Sequence, residues 1–90
     1  MEIELLQFQI IPEDRTDKFI EADTAVWNPW LRQQRGFIRK TYQTYPGGIV
    51  HVRIFWASPR DLAAASRSPE IPAIDVKLKG QFLGVYNRVG

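Results

Sequence analysis

The chain contains no cysteine. That excludes a disulfide framework, a thiolate metal site and a cysteine nucleophile. It contains one histidine, His51. With no cysteine and no second histidine to join it, it is weak evidence for a metal site, and no metal is expected. There is no strong charge of either sign: 12 basic and 10 acidic residues leave a net charge of +2. Nor is there a long apolar run. The opening "MEIELLQFQI" has no basic leader and places acids inside its apolar stretch. It fits neither a signal peptide nor a membrane span, so no membrane partner and a cytoplasmic location are expected.

Ninety residues suit one domain, 1–90. A domain that small buries a modest fraction of its surface, and association of copies is a common remedy. Alternation predicts a first strand over 3–11, with Leu6, Phe8 and Ile10 on one face and Leu5, Gln7, Gln9 and Ile11 on the other. Helical spacing follows over 13–34, and Gly36 is a left-handed stop. Phe37 to Tyr45 is a second strand, "PGG" a turn, and Ile49 to Ala57 a third. On that third strand Val50, Val52, Ile54 and Trp56 share one face; Ile49, His51, Arg53 and Phe55 share the other. Ser58 and Pro59 open a second helix as N-cap and first residue, running to about Arg67. A short helix over 73–79, stopped by Gly80, and a last strand over 81–89 complete the order.

The order β-α-β-β-α-β predicts an α+β ferredoxin-like domain: one antiparallel sheet with both helices on one face. The other face keeps apolar residues on several strands. A second copy of the chain is expected to cover them, making a homodimer.

"RGFIRK" after a long helix and "FWASPRDLAAA" closing the third strand into the second helix resemble the antibiotic biosynthesis monooxygenase-like superfamily. The stretch "FIEADTAVWNPWLRQQRGF" is closer still to a small group of uncharacterised cyanobacterial proteins within it. The resemblance implies a dimeric α+β barrel. Its members include cofactor-free oxygenases, haem-degrading enzymes and proteins of no known function. The haem-degrading members use a tryptophan that matches Trp56, an asparagine whose position falls near Gln7 or Phe8, and a histidine whose position falls near Asp75. The last two are missing, so no cofactor is expected.

The candidate site lies in "EADTAVWNPW". Asp23 falls about 40° from Phe19 on the helical wheel, inside the apolar stripe of Phe19, Val26, Trp27 and Trp30. A buried carboxylate must be paired, protonated or facing a cavity. Two readings stand: a polar anchor or general base in a pocket between the first helix and the sheet, or a structural hydrogen bond, for instance to a tryptophan N–H. Without a nearby cation, its pKa would rise and suit base chemistry. Trp27, Trp30 and Trp56 would be an aromatic wall for a small aromatic or apolar ligand, or simply core. His51 could carry protons in a pocket, but on the far side of the sheet from Asp23. Arg32, Arg35, Arg39 and Lys40 suit a solvated basic face, and Tyr42, Tyr45 and Tyr86 suit strand packing. Pro29 predicts a break or kink near 25–28, with Asn28 capping a restarted turn; such a proline costs about 3 kcal/mol inside a regular helix.

A nucleic-acid reading fails on position. "RGFIRKTY" has a basic-glycine-aromatic look, but it follows the first helix directly, and Arg39 occupies the central aromatic place. The expectation is a small-molecule-binding or cofactor-free monooxygenase-like protein. The alternative is a non-catalytic dimeric module that binds a ligand or partner.

Overall fold

A computed structural model describes residues 1–90. The chain runs β1 (Glu2–Ile11), a 3-10 turn (Glu13–Arg15), α1 (Thr16–Leu31), β2 (Phe37–Tyr45), β3 (Ile49–Trp56), α2 (Pro59–Ser66), α3 (Ile71–Gln81) and β4 (Val85–Arg88). The four strands form one antiparallel sheet in the order β2-β3-β1-β4. This is the α+β ferredoxin-like fold expected from the element order, with the helices on one face. No helix is long and apolar enough to cross a membrane.

Strand alternation sorts the two faces. Phe8 lies opposite Val50 and Leu6 opposite Val52, so these side chains point the same way. They join Ile10, Ile54 and Trp56 in a core closed by Phe19, Ala22, Val26, Trp30 and Leu31 of α1 and by Leu78 of α3. Phe19 is fully buried, with ring centroids 5.4 Å from Phe8, 5.5 Å from Phe82 and 5.3 Å from Tyr86. The opposite face carries Ile3, Leu5, Ile11, Tyr45 and Val85, all exposed.

The helix signals hold at several ends. Ser58 caps α2: its Oγ accepts from the Asp61 N–H at 3.2 Å and donates to the Asp61 carboxylate at 2.9 Å. Gly36 turns the chain at φ 82°, and its carbonyl accepts from the Ala57 N–H at 2.7 Å. A Cβ there would come within 2.2 Å of the Asp61 carboxylate, so the position excludes a side chain on two counts.

Other boundaries differ from expectation. The first helix is shorter than 13–34: a 3-10 turn precedes it and Leu31 ends it. No break occurs at 25–28, because α1 is continuous through Pro29. Pro29 sits in the last turn on the exposed side, and the burial of its neighbours Trp30 and Leu31 in the core holds that turn helical despite the lost bond to the Ala25 carbonyl. Asn28 is therefore an ordinary helical residue and caps nothing. Gly80 does not stop the third helix, which runs to Gln81. Residue 82 then turns its ring into the core, 4% exposed, and pairing resumes only at Val85. The last strand is accordingly half the expected length.

Candidate functional site

A cavity of about 480 Å³ opens between the sheet and the helices. Asp23, Trp27, Trp30 and Trp56, the residues singled out from sequence, all line it. His51 does not. It lies on the opposite face of the sheet against Tyr45, with ring centroids 4.6 Å apart. Its place on the far side of the sheet from Asp23 is as expected, and this corrects any grouping of His51 with Trp27, Trp30 and Trp56 as one pocket: odd and even residues of β3 face opposite ways, and Trp56 takes the helix side. No histidine stands on the cavity wall.

The polar end of the cavity is a group that the sequence showed only in part. Asp23 Oδ2 accepts from both the Lys40 ammonium and the Tyr42 hydroxyl. Lys40 Nζ also donates to Asn28 Oδ1 at 3.2 Å, and Thr24 donates to the Tyr42 oxygen at 3.2 Å. The Lys40 and Asp23 side chains are only 4% and 6% exposed. Asp23 thus has a buried cation as its partner, which the sequence alone leaves open. Its hydrogen bonds run to lysine and tyrosine rather than to an indole.

Lys40 was expected on a solvated face. A β-bulge between Phe37 and Arg39 reverses that. Phe37 lies opposite Trp56, yet Arg39 lies opposite Phe55, so the alternation shifts by one. Lys40 and Tyr42 then sit opposite Ile54 and Val52 on the helix side. Arg39 goes to the other face, its guanidinium 4.3 Å from the centre of the Phe55 ring. The signal available from sequence was the two-residue spacing of Lys40 and Tyr42; the phase was hidden by the bulge.

Burial shapes the titration of this group. Desolvation lowers the Lys40 pKa, and the neighbouring Asp23 charge offsets part of that. Desolvation raises the Tyr42 pKa, and the Asp23 charge and hydrogen bond add to it. Tyr86 is raised by desolvation and by its 2.8 Å bond to Asp75 Oδ1. Both phenols should therefore stay protonated past pH about 10, the usual tyrosine value. A folded state that keeps protons the unfolded chain has lost becomes less stable as pH rises. These two tyrosines contribute stability that is full below about pH 10 and is lost above it. Lys40 acts in the opposite sense, since its folded pKa lies below its unfolded one. Ultraviolet titration of the phenolates reads the tyrosines alone: two of the three should ionise only as the fold is lost, and Tyr42→Phe should leave one such group.

The remaining cavity wall is apolar with paired polar groups. Trp56 Nε1 donates to Glu4 Oε1 at 3.2 Å. Asp75 holds both the Tyr86 hydroxyl and Lys79 Nζ, the latter at 3.1 Å. Trp27 and Trp30 meet edge to face at 5.8 Å. The buried Trp30 Nε1 has no hydrogen-bond partner.

No family model and no curated protein matches the chain. Solved structures do. The chain is similar to a monooxygenase from the gene ActVA-Orf6 of Streptomyces coelicolor, solved in complex with Nanaomycin D: 20% identity, TM-score 0.72, over 97% of this chain and 81% of that one. It is similar to SnoaB, a cofactor-independent oxygenase from Streptomyces nogalater, at 12% identity and TM-score 0.62, over 98% and 89% of the two chains. A conserved protein of unknown function from Bacteroides thetaiotaomicron matches at 16% identity and TM-score 0.59, over 97% and 94%. At these identities the likeness is one of fold. The chain has the fold of the antibiotic biosynthesis monooxygenases, which those enzymes share with proteins of no assigned activity.

Proposed function

We propose that the chain binds a small aromatic phenol or quinol in this cavity and oxygenates it without a cofactor, working as a homodimer. One observation carries the reading. Asp23 Oδ1 accepts no hydrogen bond from the protein, and Lys40 has three N–H groups of which two are used. A free acceptor and a free donor thus belong to adjacent side chains in a cavity walled by tryptophan. A phenol hydroxyl needs that pair: it donates to the carboxylate and accepts from the ammonium.

The chemistry follows from the arrangement. Asp23 takes the phenol proton, and Lys40 stabilises the phenolate that forms. The electron-rich anion gives one electron to dioxygen, and the resulting radical pair joins at a ring carbon. Loss of water then leaves a quinone. Each turnover consumes one phenol and one dioxygen and yields one quinone and one water. The aromatic walls keep bulk water from the anion.

Oxygen uptake with 1-naphthol tests this. Asp23→Asn should lower the rate by about 10²–10⁴-fold, the usual contribution of a general base, while circular dichroism shows a folded protein. Unchanged uptake removes Asp23 as the base. The alternative, a non-catalytic dimeric module for a ligand or partner, is favoured by the bonds Asp23 already makes to Lys40 and Tyr42. Under it, Asp23→Asn lowers stability or naphthol affinity, and the wild type consumes no oxygen.

A further inference from the structure

We propose that Lys40 is also a covalent binding site: its amine condenses with the carbonyl of an aromatic aldehyde or ketone held in the cavity, forming an imine. This goes beyond the oxygenase reading and does not depend on it, since it uses the same cavity but no dioxygen.

The geometry carries it. The chain has four lysines, Lys18, Lys40, Lys77 and Lys79. Three are exposed, and Lys40 alone has a buried side chain. Lys40 lines a cavity whose walls include Trp27, Trp30 and Trp56, planar surfaces suited to an aromatic carbonyl compound. Imine formation needs three functions within reach: an amine, a group to take its proton, and an acid for the departing oxygen. Asp23 is bonded to Lys40 Nζ and can take the proton; the Tyr42 hydroxyl is bonded to the same carboxylate oxygen.

The step balances. The Lys40 ammonium gives a proton to Asp23, and the freed lone pair attacks the carbonyl carbon. The carbonyl oxygen takes a proton from Tyr42, and Asp23 passes the proton it holds to Tyr42, restoring its hydroxyl. The nitrogen, still carrying two hydrogens, gives a second proton to Asp23, leaving a neutral carbinolamine. That proton passes from Asp23 to the hydroxyl, which leaves as water as the nitrogen lone pair forms the C=N bond. The product is a protonated imine. One ammonium and one carbonyl have become one iminium and one water, with nothing oxidised or reduced. The iminium carries the charge the ammonium had, in the same place, so Asp23 keeps its counter-charge. Desolvation lowers the Lys40 pKa and so favours the neutral amine that attacks.

Reductive trapping tests the inference. The intact protein is incubated without oxygen near neutral pH with 1-naphthaldehyde and sodium cyanoborohydride, then mapped by peptide mass spectrometry. The expected result is one reduced adduct at Lys40, formed at least about tenfold faster than at Lys18, Lys77, Lys79 or the Met1 amine, because Lys40 alone meets a carbonyl held in a cavity beside Asp23 and Tyr42. In urea the preference should vanish. Lys40→Arg, which keeps a cation beside Asp23, should lose that adduct alone. An unlabelled Lys40, or one labelled no faster than the exposed lysines in folded wild-type protein, overturns the proposal. Because this readout uses no oxygen and the naphthol assay uses no aldehyde, failure of either leaves the other standing.

Discussion

Replacing Lys40 by methionine is expected to destabilise the protein by about 3–5 kcal/mol, the cost of leaving one partner of a buried ion pair without its counter-charge. Methionine preserves most of the side-chain volume, so the loss is electrostatic. Asp23, its side chain 6% exposed, would be left with the Tyr42 hydroxyl and no cation. In a domain of this size each kcal/mol moves the melting temperature by about 4–8 °C, so thermal unfolding should shift down by roughly 12–40 °C. The double variant Lys40→Met, Asp23→Asn removes the stranded charge and should recover a large part of that loss. The pair Lys18–Glu21 supplies the contrast. Its side chains are 66% and 74% exposed at 3.7 Å, and Lys18→Met should change stability by less than about 0.5 kcal/mol. If Lys40→Met behaved like Lys18→Met, water would be reaching the Asp23 carboxylate, and the dry cavity needed for phenolate chemistry would not exist.

The second large effect is on assembly. Leu5→Arg should weaken the proposed homodimer by about 100-fold or more, equivalent to about 2.8 kcal/mol. Leu5 is 43% exposed, lies opposite Arg53 on the open face, and shares that face with Ile3, Ile11 and Val85. A two-fold interface doubles every substitution, so two guanidinium groups would be desolvated together, each already facing a native arginine on its own sheet. Sedimentation at micromolar concentration would report the mass of one chain for the variant and of two for the wild type. The fold should survive, because Leu5 points away from the core that Phe19 and Trp56 organise. A wild type that sediments as one chain removes the dimer from the proposed function.

Which parts of this were visible in the sequence follows from the range of the forces involved. The face of each residue in β1 and β3 was legible because period-two alternation is local and uninterrupted there. The burial of Asp23 was legible because a helix of 3.6 residues per turn fixes direction from spacing alone. Its partners were not, because they lie 17 and 19 residues away on a strand whose phase is reset by a bulge. A reader who alternates from Phe37 places Lys40 in solvent; one inserted residue places it in the cavity. The break predicted at Pro29 failed for a different reason. The missing N–H leaves the Ala25 carbonyl without its helical partner, but the core contacts of Trp30 and Leu31 hold that last turn in place, and local spacing does not show such a tertiary override. Gly80 likewise signalled an end that Leu78 and Phe82 moved by burying themselves.

The charge on the open face bears on how the assembly should respond to its surroundings. Arg39, Arg53 and His51 stand on that face, and the strands place no carboxylate there. Arg39 lies over Phe55 and Arg53 donates to Gln43 at 3.1 Å, so neither cation is neutralised within the chain. A two-fold packing of this face on itself sets cations against cations. Added electrolyte shortens the screening length from about 10 Å at 0.1 M to about 3 Å at 1 M. The dimer should therefore tighten as ionic strength rises, the reverse of an interface built on salt bridges, and dilution into low-salt buffer should be what takes it apart.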